Sequence, residues 1–358
     1  MHSPGYSEAD METVWFALIA LMLAAYVVLD GFDFGAGILH LFVAKTDAER
    51  RTVLAAIGPV WDGNEVWLIA SGGVLVFAFP RVYAAGFSGF YMPLMMVLWL
   101  LILRGLSIEF RSQQQNPLWR SFWDGVFFFS STLMAVVLGA ALGNVIRGVP
   151  LDSAGYFSGP LFTDFRVGRH PGVLDWYTVL VGLFALGVLA AHGAVYLIWK
   201  TSGSVQERAQ ALASRLWGVV LILGIFTTVA TWQVQPGLYR NLMARPWTWI
   251  IALLIAASLV LVFVLLRQKR ELHAFLASCV FIASLLGATV AGLYPNLLLS
   301  TLDPAYNISI ANGATGTEGL RVGLIWWALA MALALGYFTF LFRTFRGKVS
   351  LESDGHGY

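Results

Sequence analysis

Nine long apolar runs constrain this chain more than any other feature. They are Thr13–Val43, Gly58–Ala78, Tyr83–Leu106, Trp123–Ile146, Leu174–Trp199, Ala213–Gln233, Trp247–Leu266, His273–Tyr294 and Val322–Phe342. Each is near the ~20 residues that carry a helix across ~30 Å of hydrocarbon. The runs are continuous rather than alternating every second residue, which favours helices over a strand barrel. Helices and closed barrels are the two structures that satisfy backbone groups in lipid. Composition agrees: 58% of residues are hydrophobic and 12% are charged, against about 25% charged in a soluble domain. The fold class is therefore all-α, a polytopic membrane protein with about nine transmembrane helices. Residues 1–358 read as one integral membrane unit.

Charge placement orients it. The loops after runs 1, 3, 5 and 7, with the C-terminal tail, hold 15 of the 22 Lys and Arg residues. The positive-inside rule puts these loops and the C-terminus in the cytoplasm and the N-terminus outside. Residues 147–173 and 295–321 form long outer loops rich in turn residues. The first dozen residues carry Glu8, Asp10 and Glu12 without Lys or Arg, unlike a signal peptide. Trp15, Tyr83, Trp199 and Trp247 stand at run ends, where interfacial anchors sit. Thr46 followed by Glu49 reads as a capping box opening a helix in the first basic loop.

Several chemistries are disfavoured. A net charge of +2 without a basic run gives no nucleic-acid signal. The single Cys279 cannot form an internal disulfide or a thiolate metal site. The histidines are His2, His40, His170, His192, His273 and His356, and no metal-ligand spacing joins them. No metal site is expected in this chain.

Acids carry the functional signal. Asp30 and Asp33 are three apart in the first run and share a face that Gly37 and His40 extend. Asp62 and Glu65 repeat that spacing at the start of the second run. Arg104 and Glu109 close the third, and Gly105 between them suggests a bend. These acid-rich helices lie within residues 13–110. A charge at the bilayer centre costs ~2.5–3.5 kcal/mol on insertion scales. Such groups therefore pair, face a hydrated cavity or carry protons. Pairing of Asp30 or Asp33 with Arg104 as a plain lock is the competing explanation. A proton-coupled transporter or a structural scaffold would also keep such acids. Gly31 and Gly35, with Gly72, Gly73, Gly139 and Gly143, suit close helix packing.

The run Asp30-Gly31-Phe32-Asp33-Phe34-Gly35-Ala36-Gly37 and the run Trp61-Asp62-Gly63-Asn64-Glu65-Val66-Trp67-Leu68, followed by Gly72-Gly73, resemble the two signature motifs of subunit II of cytochrome bd-type quinol oxidases. Glu49-Arg50-Arg51, Phe87 to Tyr91, Arg104, Gly143-Asn144 and Gly148 to Pro150 fit the same family. The match is dense over the first 150 residues or so and looser afterwards. The resemblance implies a non-catalytic subunit in the bacterial inner membrane. Its partner would be a haem-bearing subunit I that oxidises quinol near the outer face and reduces oxygen to water. Haems b and d would belong to that partner, and none would be ligated here. A structural quinone in an apolar groove, bound lipid and a small accessory subunit are compatible with the family. By motif position, Asp33, Asp62, Arg104 and Glu109, with Asp30 beside them, would form a cytoplasmic proton pathway toward the oxygen-reducing haem. Glu109 stands for an aspartate and keeps the carboxylate. Trp67 would line the oxygen approach, and Trp61, Gly63, Asn64 and Glu65 would support the motif.

Overall fold

A computed structural model describes residues 8–349, with side chains from residue 10 onward. His2 and His356 lie outside the described residues. The chain is a helix bundle. Its helices in order are α1 (Glu8–Val43), α2 (Asp47–Ile57), α3 (Trp61–Ala78), α4 (Pro80–Gly89), α5 (Tyr91–Phe110), α6 (Pro117–Arg147), α7 (Trp176–Lys200), α8 (Gly203–Val234), α9 (Pro236–Met243), α10 (Thr248–Arg267), α11 (Glu271–Leu293), α12 (Ile310–Gly313) and α13 (Thr317–Thr344). Eight of them are long and apolar enough to cross a membrane. The helix expected as a ninth, α3, has 18 residues, but Asp62, Asn64 and Glu65 stand near its start. Those side chains lower its mean hydropathy and leave it out of the eight.

Two expectations need correction. The third apolar run is not one helix: α4 ends at Gly89 and α5 begins at Tyr91. Pro93 has no N–H to give the Gly89 carbonyl, so the helical ladder is interrupted there. The α5 helix then runs through Gly105 to Phe110 without a break. Gly105 instead makes room for Trp61, whose ring lies 3.4 Å from where a Cβ would be. The second correction concerns Trp15, which is 1% exposed and donates from Nε1 to the Leu320 carbonyl. It is a core residue rather than an interfacial anchor.

Small residues set the closest helix crossing. A Cβ on Gly35 would come within 2.5 Å of Gly193 Cα, so the α1 and α7 backbones touch. Gly139 similarly meets Gly182 on α7, at 2.8 Å from its Cα. In lipid, helix association rests on this kind of van der Waals fit, because apolar side chains gain little by leaving lipid for protein. Gly72 and Gly73 have nothing within 4 Å of a would-be Cβ and pack against no helix of this chain. Around the α1–α7 crossing lies the main core, where Phe32 stacks on Tyr196 at 4.0 Å and His192 stacks on Phe275 at 5.1 Å.

The first basic loop starts α2 with the expected capping box. Glu49 N donates to Thr46 Oγ1 at 3.3 Å, and Thr46 N donates to Glu49 Oε2 at 3.0 Å. At the opposite end, the two long loops are joined. Val149 N donates to the Leu299 carbonyl and Thr301 N to the Val149 carbonyl, each at 2.9 Å. A short antiparallel pair, β1 (Asn296–Leu298) with β2 (Ile308–Ser309), orders the second loop. The chain's last described residues return to α7. Lys348 Nζ donates to the Ile198 and Thr201 carbonyls, Val349 N to the Lys200 carbonyl, and Lys200 Nζ to the Phe345 carbonyl. Helix α13 lies at the edge of the bundle, against α1 and α3, with 6% of its spanning stretch buried.

The Gly35–Gly193 contact gives a direct test. Gly35→Leu should force α1 from α7, and overpacking of this kind costs ~1–3 kcal/mol or more. A lower melting temperature in mild detergent, with less folded protein recovered, is expected. Gly72→Leu should change neither, unless an assembled partner packs there.

Candidate functional site

The polar cluster sits where α1, α3 and α5 meet. Asp30, three residues before Asp33 on α1, is fully buried and accepts from Arg104 Nη1 at 2.5 Å and Nη2 at 3.1 Å. Arg104 Nη2 also donates to Glu65 Oε2 at 2.8 Å. Its guanidinium lies 4.2 Å from the centre of the Phe34 ring, a cation–π contact. Asp33, also fully buried, accepts from Asn64 Nδ2 at 2.8 Å, and the same amide donates to the Leu29 carbonyl at 3.2 Å. One guanidinium thus faces three carboxylates, two of them in direct contact.

The structure brings together Asp30, Asp33, Asn64, Glu65 and Arg104, but not Asp62 and Glu109. Those two are exposed on α3 and α5. One turn separates Asp62 from the inward-facing Glu65, and Glu109 lies five residues beyond Arg104 on an unbroken helix. Their neighbours on the same faces are apolar: Val66, Ile69 and Val76 on α3, Trp99 and Ile102 on α5, all well exposed. Trp67 lies between α3 and α13, 5.7 Å from the Phe338 ring, with its indole N–H buried and unpartnered. Trp61 packs on Gly105, and Gly63 lies against Tyr337 and Phe338 of α13. The buried atoms Asp33 Oδ1, Asn64 Oδ1 and Arg104 Nε also have no protein partner.

A second network lies at the basic end and was missed from sequence. Asp124 on α6 is 1% exposed. It faces His40 Nε2 at 2.6 Å, Arg111 Nε at 2.6 Å and Arg50 Nη1 at 2.7 Å. Arg111 and Arg120 then reach Asp47 at 2.9 Å each. The signal available was one acid, Asp124, just inside an apolar run. Nothing in the local spacing connects it to His40, 84 positions away.

The loop acids of α2 are held ionised. Hydrogen bonds from Arg208, opposed by partial burial and joined by the Lys45 and Thr46 amides, lower the Glu49 pKa to about 2. For Asp47, burial pushes upward but the Arg111 hydrogen bond and the nearby guanidiniums outweigh it, and its pKa falls.

At the other end, Arg147 pairs with the buried Asp175, which caps α7 by accepting from the Tyr177 and Thr178 amides at 2.9 Å. Asn144 completes the set, accepting from Arg147 Nη2 at 2.6 Å and donating to the Val173 carbonyl at 2.8 Å. This is a structural clamp on the first long loop.

Of the two buried imidazoles, His40 bonds Asp124 through Nε2 and keeps Nδ1 without a protein partner, whereas both His192 nitrogens are engaged, with Ser278 Oγ at 2.7 Å and the Val28 carbonyl at 3.0 Å. Among the described residues, no group of three or more His, Cys, Asp and Glu is placed to hold a metal ion.

This architecture defines an all-α, multi-pass membrane protein with a charge cluster buried between its first spanning helices. The chain belongs to the family described as cytochrome bd terminal oxidase subunit II, whose profile matches residues 11–345. It is a multi-pass protein of the bacterial inner membrane and part of a bd-type oxidase, whose haems lie in the partner subunit. The chain is 30% identical to cytochrome bd ubiquinol oxidase subunit 2 of Bacillus subtilis over 344 residues, 96% of this chain and 98% of that one. It is 36% identical to cytochrome bd-I ubiquinol oxidase subunit 2 of Escherichia coli K12 over 222 residues, 62% and 57% of the two chains. The fold is similar to a chain of the bd oxidase from Geobacillus thermodenitrificans, with a TM-score of 0.74 at 21% identity, covering 96% and 99%.

Two predictions follow from the networks. Arg104→Leu leaves Asp30 buried without a cation, a loss of ~3–5 kcal/mol for a pair of this kind. The variant should fail to accumulate as folded protein, whereas Arg104→Leu with Asp30→Asn and Glu65→Gln should recover part of the yield. Glu49 sets a pH dependence. Its pKa is lowered on folding, so its stabilising effect is complete above the unfolded value of ~4.3 and fades as pH falls toward about 2. The melting-temperature gap between wild type and Glu49→Gln should be constant near neutral pH and should narrow below pH ~4.

Proposed function

We propose that this chain is the non-catalytic subunit II of a terminal quinol oxidase. It pairs with a haem-bearing subunit I and supplies that subunit with protons from the cytoplasm. The partner's haems provide electron transfer and oxygen binding. This chain stabilises the assembly and carries protons to it. Its basic loops face the cytoplasm and its N-terminus faces outward.

The exposed acids carry the proposal. Ionisable side chains on spanning helices rarely face lipid, and they mark pathways or partner contacts. Asp62 and Glu109 sit on apolar outer faces of adjacent elements, so we assign those faces to subunit I. The inner cluster backs them. Asp30 serves chiefly as the anchor of Arg104, because both its oxygens are engaged. Asp33 keeps one buried oxygen without a protein partner. Buried polar groups almost always have a partner in protein or water, so Asp33 can accept a water-borne proton. Trp67, beside this region, is assigned to the oxygen approach. Oxygen reduction consumes protons. If they enter from the cytoplasm while quinol releases its own outside, charge separates without a pump and generates proton motive force.

Asp62→Asn should slow oxygen-dependent quinol oxidation on the order of tenfold, or remove haem d, while both large subunits still copurify. Turnover and the reduced-minus-oxidised visible spectrum report this directly. Wild-type values in that variant would sink the proton role. A pure chain that carries no second large subunit from its own host would sink the oxidase assignment and favour a transporter.

A further inference from the structure

The end of the molecule opposite the basic loops holds a polar cavity that the oxidase reading leaves unused. Its volume is ≈ 220 Å³, well above the ~10–15 Å³ one water needs. Gln235, Arg240, Asn241 and Asn296 line it together with Leu238 and Leu293. No Asp or Glu is among its lining residues. Arg240 makes no ion pair or side-chain hydrogen bond among the described residues. Its Nη2 and Gln235 Oε1 lie 3.9 and 3.2 Å from where a Gly237 side chain would begin. A guanidinium and an amide oxygen thus flank one small glycine-floored space. The Asn241 amide is tied to the Gly292 carbonyl at 2.8 Å, so its oxygen remains as an acceptor.

The surroundings fix the depth. Trp232, Trp247 and Trp249 are 51%, 53% and 61% exposed, and Tyr239 packs on Trp232 at 5.1 Å between ring centres. Exposed Trp and Tyr gather at the headgroup level of a bilayer. Toward the membrane interior, α8 exposes Ile222, Ile225, Phe226 and Val229, and α10 exposes Ile250, Leu253 and Leu254. A free cation at headgroup depth above two hydrocarbon-facing surfaces matches one ligand class.

We infer that this cavity binds the headgroup of a glycerophospholipid. Arg240 pairs with the phosphate, since guanidinium is suited to two-point contact with phosphate oxygens. The oxygens of Gln235 and Asn241 accept from the headgroup's hydroxyl or ammonium hydrogens. The acyl chains lie along α8 and α10. A soluble phosphate shares the charge but not the hydrocarbon, and a quinone shares the hydrocarbon but not the charge.

The test is native mass spectrometry of the protein purified in mild detergent with its copurifying subunits, delipidated, then reloaded from phosphatidylglycerol or phosphatidylethanolamine vesicles. Wild type should retain one phospholipid. Arg240→Gln should lower its occupancy by about tenfold, the loss of one charged hydrogen-bonded contact. Gly237→Leu fills the space and leaves the cation, and it should lower occupancy as much. Arg240→Lys, which keeps a charge without the fork, should fall between, and it reads the site if Arg240→Gln does not assemble. Excess inorganic phosphate should not displace the lipid. The inference is overturned if the substitutions leave phospholipid occupancy at the wild-type level. Complete displacement by inorganic phosphate, or loss of a quinone rather than a phospholipid in the variants, overturns it equally.

Discussion

The Arg104 guanidinium is the interaction on which the first half of the molecule depends. It lies 1% exposed between α1, α3 and α5, with Asp30 and Glu65 in contact and the Phe34 ring beneath it. In lipid, an unpaired charge here has no solvent to turn to, so each member fixes the rotation of its own helix. Rotating α5 to face Arg104 inward places Glu109 outward, and rotating α3 to face Asn64 inward places Asp62 outward and Glu65 to the side. The exposed acids are therefore a geometric consequence of the buried ones. The same three helices supply an internal lock and an outward-facing pair of carboxylates.

The two ends of the bundle solve the charge problem differently. At the basic end, Asp124 neutralises arginines from α2 and from the turn after α5 and hydrogen-bonds an imidazole from α1, so four segments converge on one carboxylate. Through Arg111, Asp47 extends the network to the surface, where water shares the burden. At the opposite end, one pair, Arg147 with Asp175, is closed off by Asn144 and by backbone groups of a long loop. Neither arrangement resembles a metal site, because every carboxylate in it is already committed to a cation or to a helix N-terminus.

Much of this was legible in the sequence, and the gaps have physical causes. Spanning helices are readable because lipid imposes length and hydropathy on each one separately. The α4–α5 break was not, since Pro93 sits in an apolar run whose hydropathy hides a missing N–H. The face shared by Asp30 and Asp33 followed from their spacing, and so did the α2 capping box. Which acid of the Asp62–Glu65 pair turns inward did not. That depends on the rotation of α3 against α1, a tertiary contact made by Asn64 with Leu29 and Asp33. Asp124 was overlooked because two of its partners, His40 and Arg50, lie 84 and 74 positions away and the third, Arg111, lies across the turn before α6. Trp15 was misjudged because a tryptophan near a helix end has the same sequence appearance whether it faces lipid headgroups or, as here, the α13 backbone.

The C-terminal return to α7 bears on how the chain is made. The last carbonyls of α7, at Ile198, Lys200 and Thr201, receive hydrogen bonds from Lys348 and Val349, about 150 positions later. During synthesis α7 enters the membrane long before those donors leave the ribosome. Until then its end has the Gln206 side chain on the Ile198 carbonyl and water on the rest. A chain cut short anywhere in α13 keeps all its earlier helices but lacks the donors that reach the Lys200 and Thr201 carbonyls. The strap thus makes the finish of α7 depend on residues made after α13, a non-local bond at the end of an otherwise local helix.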